Sequence, residues 1–181
     1  MSWTIRSATE ADAADCAAIY APYVTETAIT FEIEPPDVAE MGQRIATAAA
    51  THAWLVLEEA GVVVGYAYGR PFHQRAAYRW ACETSIYLGM NRRRTGAGRA
   101  LYSALLDRLV ERGCRRALGG MTLPNEGSAG LHRALGFTRS GCTETSDGST
   151  ACGTTWPGCR RPSRTRPTHR PNRTDASPRS A

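Results

Sequence analysis

The sequence predicts an α+β fold around a mixed sheet, and three observations carry that prediction. Strand-like and helix-like segments follow one another in the order β-α-α-β-β-β-α-β-α between residues 3 and 137. A strand, a loop rich in glycine and arginine, and an apolar helical stripe are contiguous in SIYLGMNRRRTGAGRALYSALL. After Phe137 the large apolar residues almost stop.

WTIRSA (3–8) reads as a short strand. A helix follows, with Thr9 as N-cap and Asp12 three residues on, an acidic variant of the capping box. Ala13, Cys16, Ala17, Ile19 and Tyr20 then fall at helical spacing. TAITFE (27–32) reads as extended, Pro35 and Pro36 interrupt the chain, and VAEMGQRIATAA (38–49) reads as a second helix. HAWLVLEEAG (52–61) and VVVGYAYGRP (62–71) form an outgoing and a returning strand. A polar, aromatic-rich loop spans 72–80, and CETSIYLG (82–89) is the next strand. From Gly96 to Gly113, Ala100, Leu101, Ala104, Leu105 and Leu109 form a helical stripe. ALGGMTL (117–123) is a strand, PNEG a turn and SAGLHRALGF (128–137) a short helix. Residues 138–181 lack Val, Ile, Leu, Met, Phe and Tyr, and Trp156 is their one large apolar side chain. Such a segment buries too little surface to offset its ordering entropy. The expected organisation is a folded domain over 1–137 and a disordered tail over 138–181.

Composition narrows the function. At 181 residues and 42% hydrophobic, the chain suits one domain with a core. No apolar run approaches the about 20 residues of a membrane span. The polar, acidic N-terminus has no basic segment followed by an apolar one, so a cytoplasmic protein is expected. The net charge of +5 suggests nucleic acid until it is located: residues 1–137 carry 14 arginines and 14 acids, and residues 138–181 carry 8 and 3. The whole excess lies in the tail, which argues against specific nucleic-acid binding. Six cysteines form no C-x-x-C pair and no zinc spacing with histidine, so plain thiols and no metal site are expected.

The loop in NRRRTGAGRA is built for an anion. The first N–H groups of a helix have no intrahelical partners, and the helix dipole adds positive potential there. Gly96 and Gly98 let a phosphate approach the backbone, and Arg93 and Arg94 add charge-assisted contacts. A dinucleotide fingerprint needs a third glycine where Leu101 stands, and the P-loop lysine is missing. On the loop alone, a helix start with solvated arginines explains the pattern as well.

The loop has company. R-x-x-G-x-G from Arg93 to Gly98, after a strand and opening a helix, resembles the acetyl-CoA pyrophosphate loop of the GNAT N-acetyltransferases. LPNEGSAGLHRALGF resembles their N-x-x-[AS]-x-x-x-[YHL]-x-x-x-GF segment. TFEIEPP and the stretch from WLVLEEAG to SIYL resemble the phosphinothricin acetyltransferase branch. The resemblance covers residues 3–137 and implies a mostly antiparallel sheet flanked by helices, acetyl-CoA as co-substrate and a small-molecule amine as acceptor. It implies Glu83 as catalytic base and His132 as a group that handles a proton or polarises the thioester carbonyl. It implies pantetheine pairing along Ile86, Tyr87 and Leu88, and cofactor contacts from Arg93, Arg94, Thr95, Gly96, Ala97, Gly98, Asn125 and Ser128. Phe31, Arg75 and Tyr78 are the expected acceptor contacts. An exposed strand carboxylate, a surface or core histidine, turn and cap residues, and a solvated arginine are the plainer readings of Glu83, His132, Asn125 with Ser128, and Arg75. Relatives are commonly dimers, so a homodimer is in view.

The family continues after its GF with two more strands, where this chain has RSGCTETSDGSTACGTTWPGC. Back-translated with GC-rich codons and read one base earlier, that segment can give Val-Tyr-Arg-Asp-Val-Gly-Trp-Lys-His-Gly-Val-Trp-His-Asp-Val-Ala-Trp-Val, which resembles the missing strands. A frameshift near codons 138–141 is the reading this supports. An active acetyltransferase, a non-catalytic acetyl-CoA-binding remnant with a defective acceptor site, and a protein N-terminal acetyltransferase remain open at this point.

Overall fold

The computed structural model describes residues 3–92, 95–144 and 150–158. Seven strands form one sheet in the order β1-β2-β3-β4-β5-β7-β6. These are β1 (Trp3–Ser7), β2 (Ala53–Glu59), β3 (Val62–Pro71), β4 (Ala81–Leu88), β5 (Arg116–Leu123), β6 (Thr138–Glu144) and β7 (Thr150–Trp156). The helices are α1 (Ala13–Thr25), α2 (Val38–Thr51), α3 (Ala97–Glu111) and α4 (Glu126–Ala134). Every neighbouring pair is antiparallel except β4 with β5. The expected mixed, mostly antiparallel sheet flanked by helices is what forms.

The sheet is covered on both faces, which explains the unbroken apolar run AWLVL in β2. Leu55 and Leu57 join a core with Leu101, Leu105 and Leu109 of α3. Trp54 and Val56 join a second core with Cys16 and Tyr20 of α1 and Met41 and Ile45 of α2. The α3 leucines at i, i+4 and i+8 are at most 1% exposed, and burying each contributes about 1.5–3 kcal/mol.

At the N-terminus, Thr9 donates its N–H to Asp12 Oδ2 at 2.8 Å, as the capping pattern implied. A short 3-10 turn, Glu10–Asp12, leads into α1. Arg6 holds Asp12 with two bonds of 2.8 and 2.9 Å, and its guanidinium keeps the buried carboxyl down at about 2. The folded-state value lies below the unfolded one, so the stabilisation is present above pH 4 and is lost as pH falls through about 2. Urea midpoints measured across that range are expected to fall by the equivalent of about 1–2 kcal/mol, and Asp12→Asn is expected to flatten the dependence.

Three expectations need correction. Residues 27–32 do not form a strand. Side-chain bonds to local backbone compete there: Thr27 Oγ1 donates to the Tyr23 carbonyl at 2.6 Å and accepts from Ile29 N–H at 3.2 Å. Order does not end at Phe137, since β6 and β7 lie inside the segment expected to be disordered; residues 145–149 and 159–181 fall outside the described ones. The reason is backbone accounting. β5 needs a ladder partner on its outer edge, and β7 supplies one along seven residues, from Ala117↔Trp156 to Leu123↔Thr150. Small residues suffice for that, and Trp156 adds an apolar anchor on the α3 core. Finally, Cys142 and Cys152, opposite each other on β6 and β7, form a disulfide, while Cys16, Cys82 and Cys114 are thiols. Cys159 lies outside the described residues.

Candidate active site

The site begins where two strands part. β4 and β5 pair only from Ala81↔Arg116 to Glu83↔Leu118. Beyond that, β4 stays with β3 as far as Leu88 while β5 stays with β7 as far as Leu123. From Thr84 onward the edge of β4 that faced β5 therefore has no ladder partner among the described residues. Ile86, Tyr87 and Leu88 sit on this opened edge. The gap is a slot of about 60 Å³ walled by Ser85, Ile86 and Tyr87 of β4 and Gly120 and Met121 of β5. Asn125, Ser128 and His132 close it from α4, and Ile29 reaches it from the α1–α2 connection.

α3 begins beside the end of β4. Gly96 caps it with φ 81°, a left-handed conformation that favours glycine. Thr95 Oγ1 accepts from Ala97 N–H at 3.4 Å, and Ala100 N–H makes the bond to Gly96 O at 3.1 Å. Gly98 lies against Leu88: a Cβ there would come within 3.1 Å of Leu88 Cδ1. Thr95, Gly96, Ala97 and Gly98 thus form the expected helix start next to the opened strand. Arg93 and Arg94 lie outside the described residues. Their neighbour Arg92 is ion-paired with Glu59.

His132 is 4% exposed and its partners settle its tautomer. Nδ1 donates to the Ser128 carbonyl at 2.7 Å, so in the neutral ring Nε2 carries the lone pair. Nε2 faces the Tyr102 hydroxyl at 3.3 Å, and that hydroxyl lies 2.7 Å from Thr84 Oγ1, which donates to Leu118 O at 3.1 Å. Burial pushes the imidazole below its usual range, so it is neutral near pH 7. Asn125 caps α4 by accepting from Ser128 N–H at 3.1 Å, which sets the helix that carries His132. Gly119 on β5 makes room for the ring: a Cβ there would lie 2.4 Å from Nε2. Gly119→Ala is expected to displace the imidazole and cost about 1–3 kcal/mol in thermal unfolding, with a parallel loss of activity. At Gly120 a Cβ would meet nothing within 4 Å, so Gly120→Ala is expected to leave thermal stability unchanged.

Glu83 lies on the other face of the sheet. Along β4, Thr84 turns to Tyr102 of α3, whereas Tyr87 turns to Tyr20 and Tyr23 of α1. Glu83 shares the Tyr87 side. Its Oε2 accepts from Arg70 Nε at 3.1 Å, across from it on β3. Arg70 lines a chamber of about 460 Å³ between α2 and β2–β3, with Trp54, Tyr66 and Tyr68 on its sheet wall and Met41, Arg44 and Glu32 opposite. Glu83 and His132 are not brought together on one face: His132 lines the slot between β4 and β5, whereas Glu83 meets the chamber through its partner Arg70.

Phe31, Arg75 and Tyr78 do not line the chamber. Phe31 is 60% and Tyr78 42% exposed, and Arg75 is exposed at the start of a 3-10 turn. They sit on the α1–α2 connection and the β3–β4 loop, outside the packed layers. Thr84, Tyr102, Arg70 and Gly119 are the site residues that sequence reasoning missed. The Gly-Gly pair in ALGGMTL was a usable signal, since glycine inside a strand marks close approach. Among the described residues, no group of His, Cys, Asp and Glu could hold a metal ion, and no helix is long and apolar enough to cross a membrane.

Comparison with known proteins matches this geometry. The profile of the acetyltransferase (GNAT) family matches residues 16–137. Phosphinothricin N-acetyltransferase from Streptomyces viridochromogenes is 36% identical over 137 residues, 76% of this chain and 75% of that protein. L-methionine sulfoximine/L-methionine sulfone acetyltransferase from Pseudomonas paraeruginosa is 36% identical over 147 residues, 78% of this chain and 83% of that one. The solved structure of a phosphinothricin acetyltransferase from Sinorhizobium meliloti in complex with acetyl-CoA superimposes with a TM-score of 0.83 at 32% identity, covering 93% of this chain and 97% of that one. With the family profile, these relatives and the parted β4–β5 strands in agreement, the chain belongs to the GNAT acetyltransferase family.

Proposed function

We propose that this N-acetyltransferase moves the acetyl group of acetyl-CoA to the amine of a small amino-acid-like acceptor, such as phosphinothricin or a methionine analogue, by direct attack in a ternary complex. The observation that carries the reading is the slot between β4 and β5, with His132 in its lining on one face of the sheet and Glu83 on the other, paired with the chamber-lining Arg70.

The residues present fit acetyl-CoA. The opened edge of β4 along Ile86, Tyr87 and Leu88 offers backbone groups to a pantetheine arm as an added strand would, the Leu88 carbonyl being held by the Tyr23 hydroxyl at 2.6 Å. The start of α3 at Thr95, Gly96, Ala97 and Gly98 offers N–H groups to a pyrophosphate, with Arg93 and Arg94 as neighbouring charges. When bound, acetyl-CoA supplies a thioester whose carbonyl carbon accepts the amine.

Glu83 takes one proton from the acceptor ammonium, which must become neutral to attack. For an amine of pKa near 8 that costs about 1.4 kcal/mol at pH 7, and for one near 10.4 about 4.6 kcal/mol. As the N–C bond forms and the C–S bond breaks, the second proton on nitrogen passes to His132 Nε2 and on to the departing sulfur. The assignment suits the ring: with Nδ1–H committed to Ser128, neutral His132 accepts a proton at Nε2 and has none there to polarise a carbonyl. A backbone N–H on the β4 edge takes the polarising role. The products are the N-acetyl amino acid and the free thiol, with one proton released from Glu83. The enzyme is expected to act in the cytoplasm, as a homodimer.

Thiol release from acetyl-CoA, with L-phosphinothricin and L-methionine sulfone as acceptors, tests the reading. Turnover with either supports it. Acetyl-CoA binding without turnover on these or other free amino acids would mark a non-catalytic remnant, and turnover on peptide N-termini alone would mark a protein acetyltransferase.

A further inference from the structure

The Cys142–Cys152 bridge lies beyond residue 137, where the family profile ends, and its surroundings are those of a reactive thiol. Three residues apart on a regular strand, Arg139 and Cys142 would point to opposite faces. The β6–β7 register shifts between Arg139 and Gly141, so Arg139 stands opposite Thr154 and Cys142 opposite Cys152. Thr154 and Cys152 alternate onto one face of β7, and the extra residue in β6, Ser140, brings Arg139 round to the same side.

The guanidinium then lies on both sulfurs. Arg139 Nε and Nη2 donate to Cys142 Sγ at 3.1 and 2.7 Å, and Nη2 donates to Cys152 Sγ at 3.3 Å. A cation in contact with sulfur favours thiolate over thiol, and the thiolate is the species that exchanges. The two cysteines differ in access. Cys142 is exposed, whereas Cys152 is 4% exposed. A molecule from solvent meets Cys142, and Cys152 is placed to act only on what Cys142 has bound. In the cytoplasm, where the enzyme is expected to act, a disulfide is more often transient than structural.

We propose that Cys142 is a modification site that exchanges with low-molecular-weight thiols and their disulfides, with Arg139 holding its thiolate and Cys152 as the resolving cysteine. In the closing direction Cys142 Sγ attacks a small disulfide, forms a mixed disulfide with one half and expels the other as thiolate. Cys152, its proton given to solvent, then attacks Cys142 Sγ and expels the second half. The balance is two protein thiols and one small disulfide giving the Cys142–Cys152 bridge and two small thiols. Excess small thiol runs the same steps backwards, attacking the exposed Cys142 sulfur while Arg139 Nη2 neutralises the departing Cys152 thiolate.

The test uses oxidised glutathione as probe on the reduced full chain and on Cys152→Ser, in which a mixed disulfide on Cys142 has nothing to resolve it. Peptide mass spectrometry after alkylation locates the product. Cys152→Ser is expected to gain glutathione at Cys142 ahead of Cys114 and Cys159. The native chain is expected to pass on to the Cys142–Cys152 bridge, and reduced glutathione to open it. Adding Arg139→Met to Cys152→Ser is expected to slow the reaction at Cys142 about 3- to 10-fold. A charge-assisted contact favours the thiolate by about 10- to 100-fold, and its lower nucleophilicity returns about half of that on a logarithmic scale. Arg139→Lys is expected to keep part of the rate. The urea-unfolded Cys152→Ser chain supplies a reference that leaves residue 139 unchanged, and it is expected to react more slowly than the folded one by a similar factor. First modification at Cys114 or Cys159, an unchanged rate in Arg139→Met, or a folded rate no higher than the unfolded one overturns the proposal. A bridge that resists reduced glutathione until the chain unfolds is a structural staple and overturns it as well. None of these readouts involves acetyl transfer, so the acetyltransferase reading stands apart from the outcome.

Discussion

Glu83→Gln is expected to lower kcat by about 10²–10⁴-fold, the usual contribution of a positioned base, while acetyl-CoA binding stays within about twofold. The two parts of that result have separate causes. Glutamine keeps the size and shape of the side chain but cannot take the ammonium proton. The acetyl-CoA contacts proposed above lie on the opened β4 edge, at the start of α3 and on α4, and none involves the residue-83 side chain. The deficit should also shrink as pH approaches the acceptor's own pKa, because solvent then supplies the neutral amine. A structural role for the Arg70 pair would behave otherwise. The two side chains are 57% and 34% exposed, and pairs of that kind contribute little to stability, so thermal unfolding should barely move. Steady-state thiol release across pH, with a thermal melt of each protein, separates the two. A variant with native kcat would remove Glu83 from the chemistry.

Ending the chain at Phe137 is expected to abolish folding, whereas ending it at Gly158 should leave Tm within about 2 °C. The difference lies in β7. β5 meets β4 through three residue pairs but meets β7 through seven, so loss of β7 strips most of its ladder. At about 0.5–1.5 kcal/mol per lost hydrogen bond, together with the Trp156 contact, the cost approaches the whole stability of a domain, about 5–15 kcal/mol. The exposed strand edge would invite aggregation. Residues 159–181 hold no Val, Ile, Leu, Met, Phe, Tyr or Trp, and such a composition contributes little to a core. Solubility and melting curves of the two truncations decide the matter. A soluble, cooperatively folding 1–137 fragment would show that β5 does not depend on β7.

The same strand shows where the sequence was legible and where it was not. The step from SIYL to GRALYSALL could be read directly, because the apolar period changes from two to about 3.6 across a glycine-rich loop, and each period is a local property. β7 could not be read that way. TACGTTW forms a strand because β5 has an edge to satisfy, and that requirement comes from residues more than 25 positions away. His132 was found by its motif, yet its tautomer follows from the Ser128 carbonyl one helical turn earlier. Tyr102 looked like one more position on an apolar helix. Its meaning arises only where Thr84 and His132 meet it, from 18 and 30 residues away. Arg70 looked like the end of a strand, since its pairing with Glu83 depends on how the 72–80 loop returns. The family profile stops at residue 137, yet structural likeness to the Sinorhizobium protein covers 93% of the chain.

The parting of β4 from β5 after Glu83 has a consequence for the lifetime of the protein. A sheet joined across its middle by three residue pairs and the α3 packing is an incomplete object, and a ligand that lies along the opened edge completes it. Anything that binds the folded chain and not the unfolded one adds stability as RT ln(1 + [L]/Kd), about 2.7 kcal/mol at a hundredfold excess over Kd. Coenzyme A, free or acetylated, carries the pantetheine arm and pyrophosphate that fill this gap, so the cell's pool of it would protect the polypeptide as well as feed its reaction.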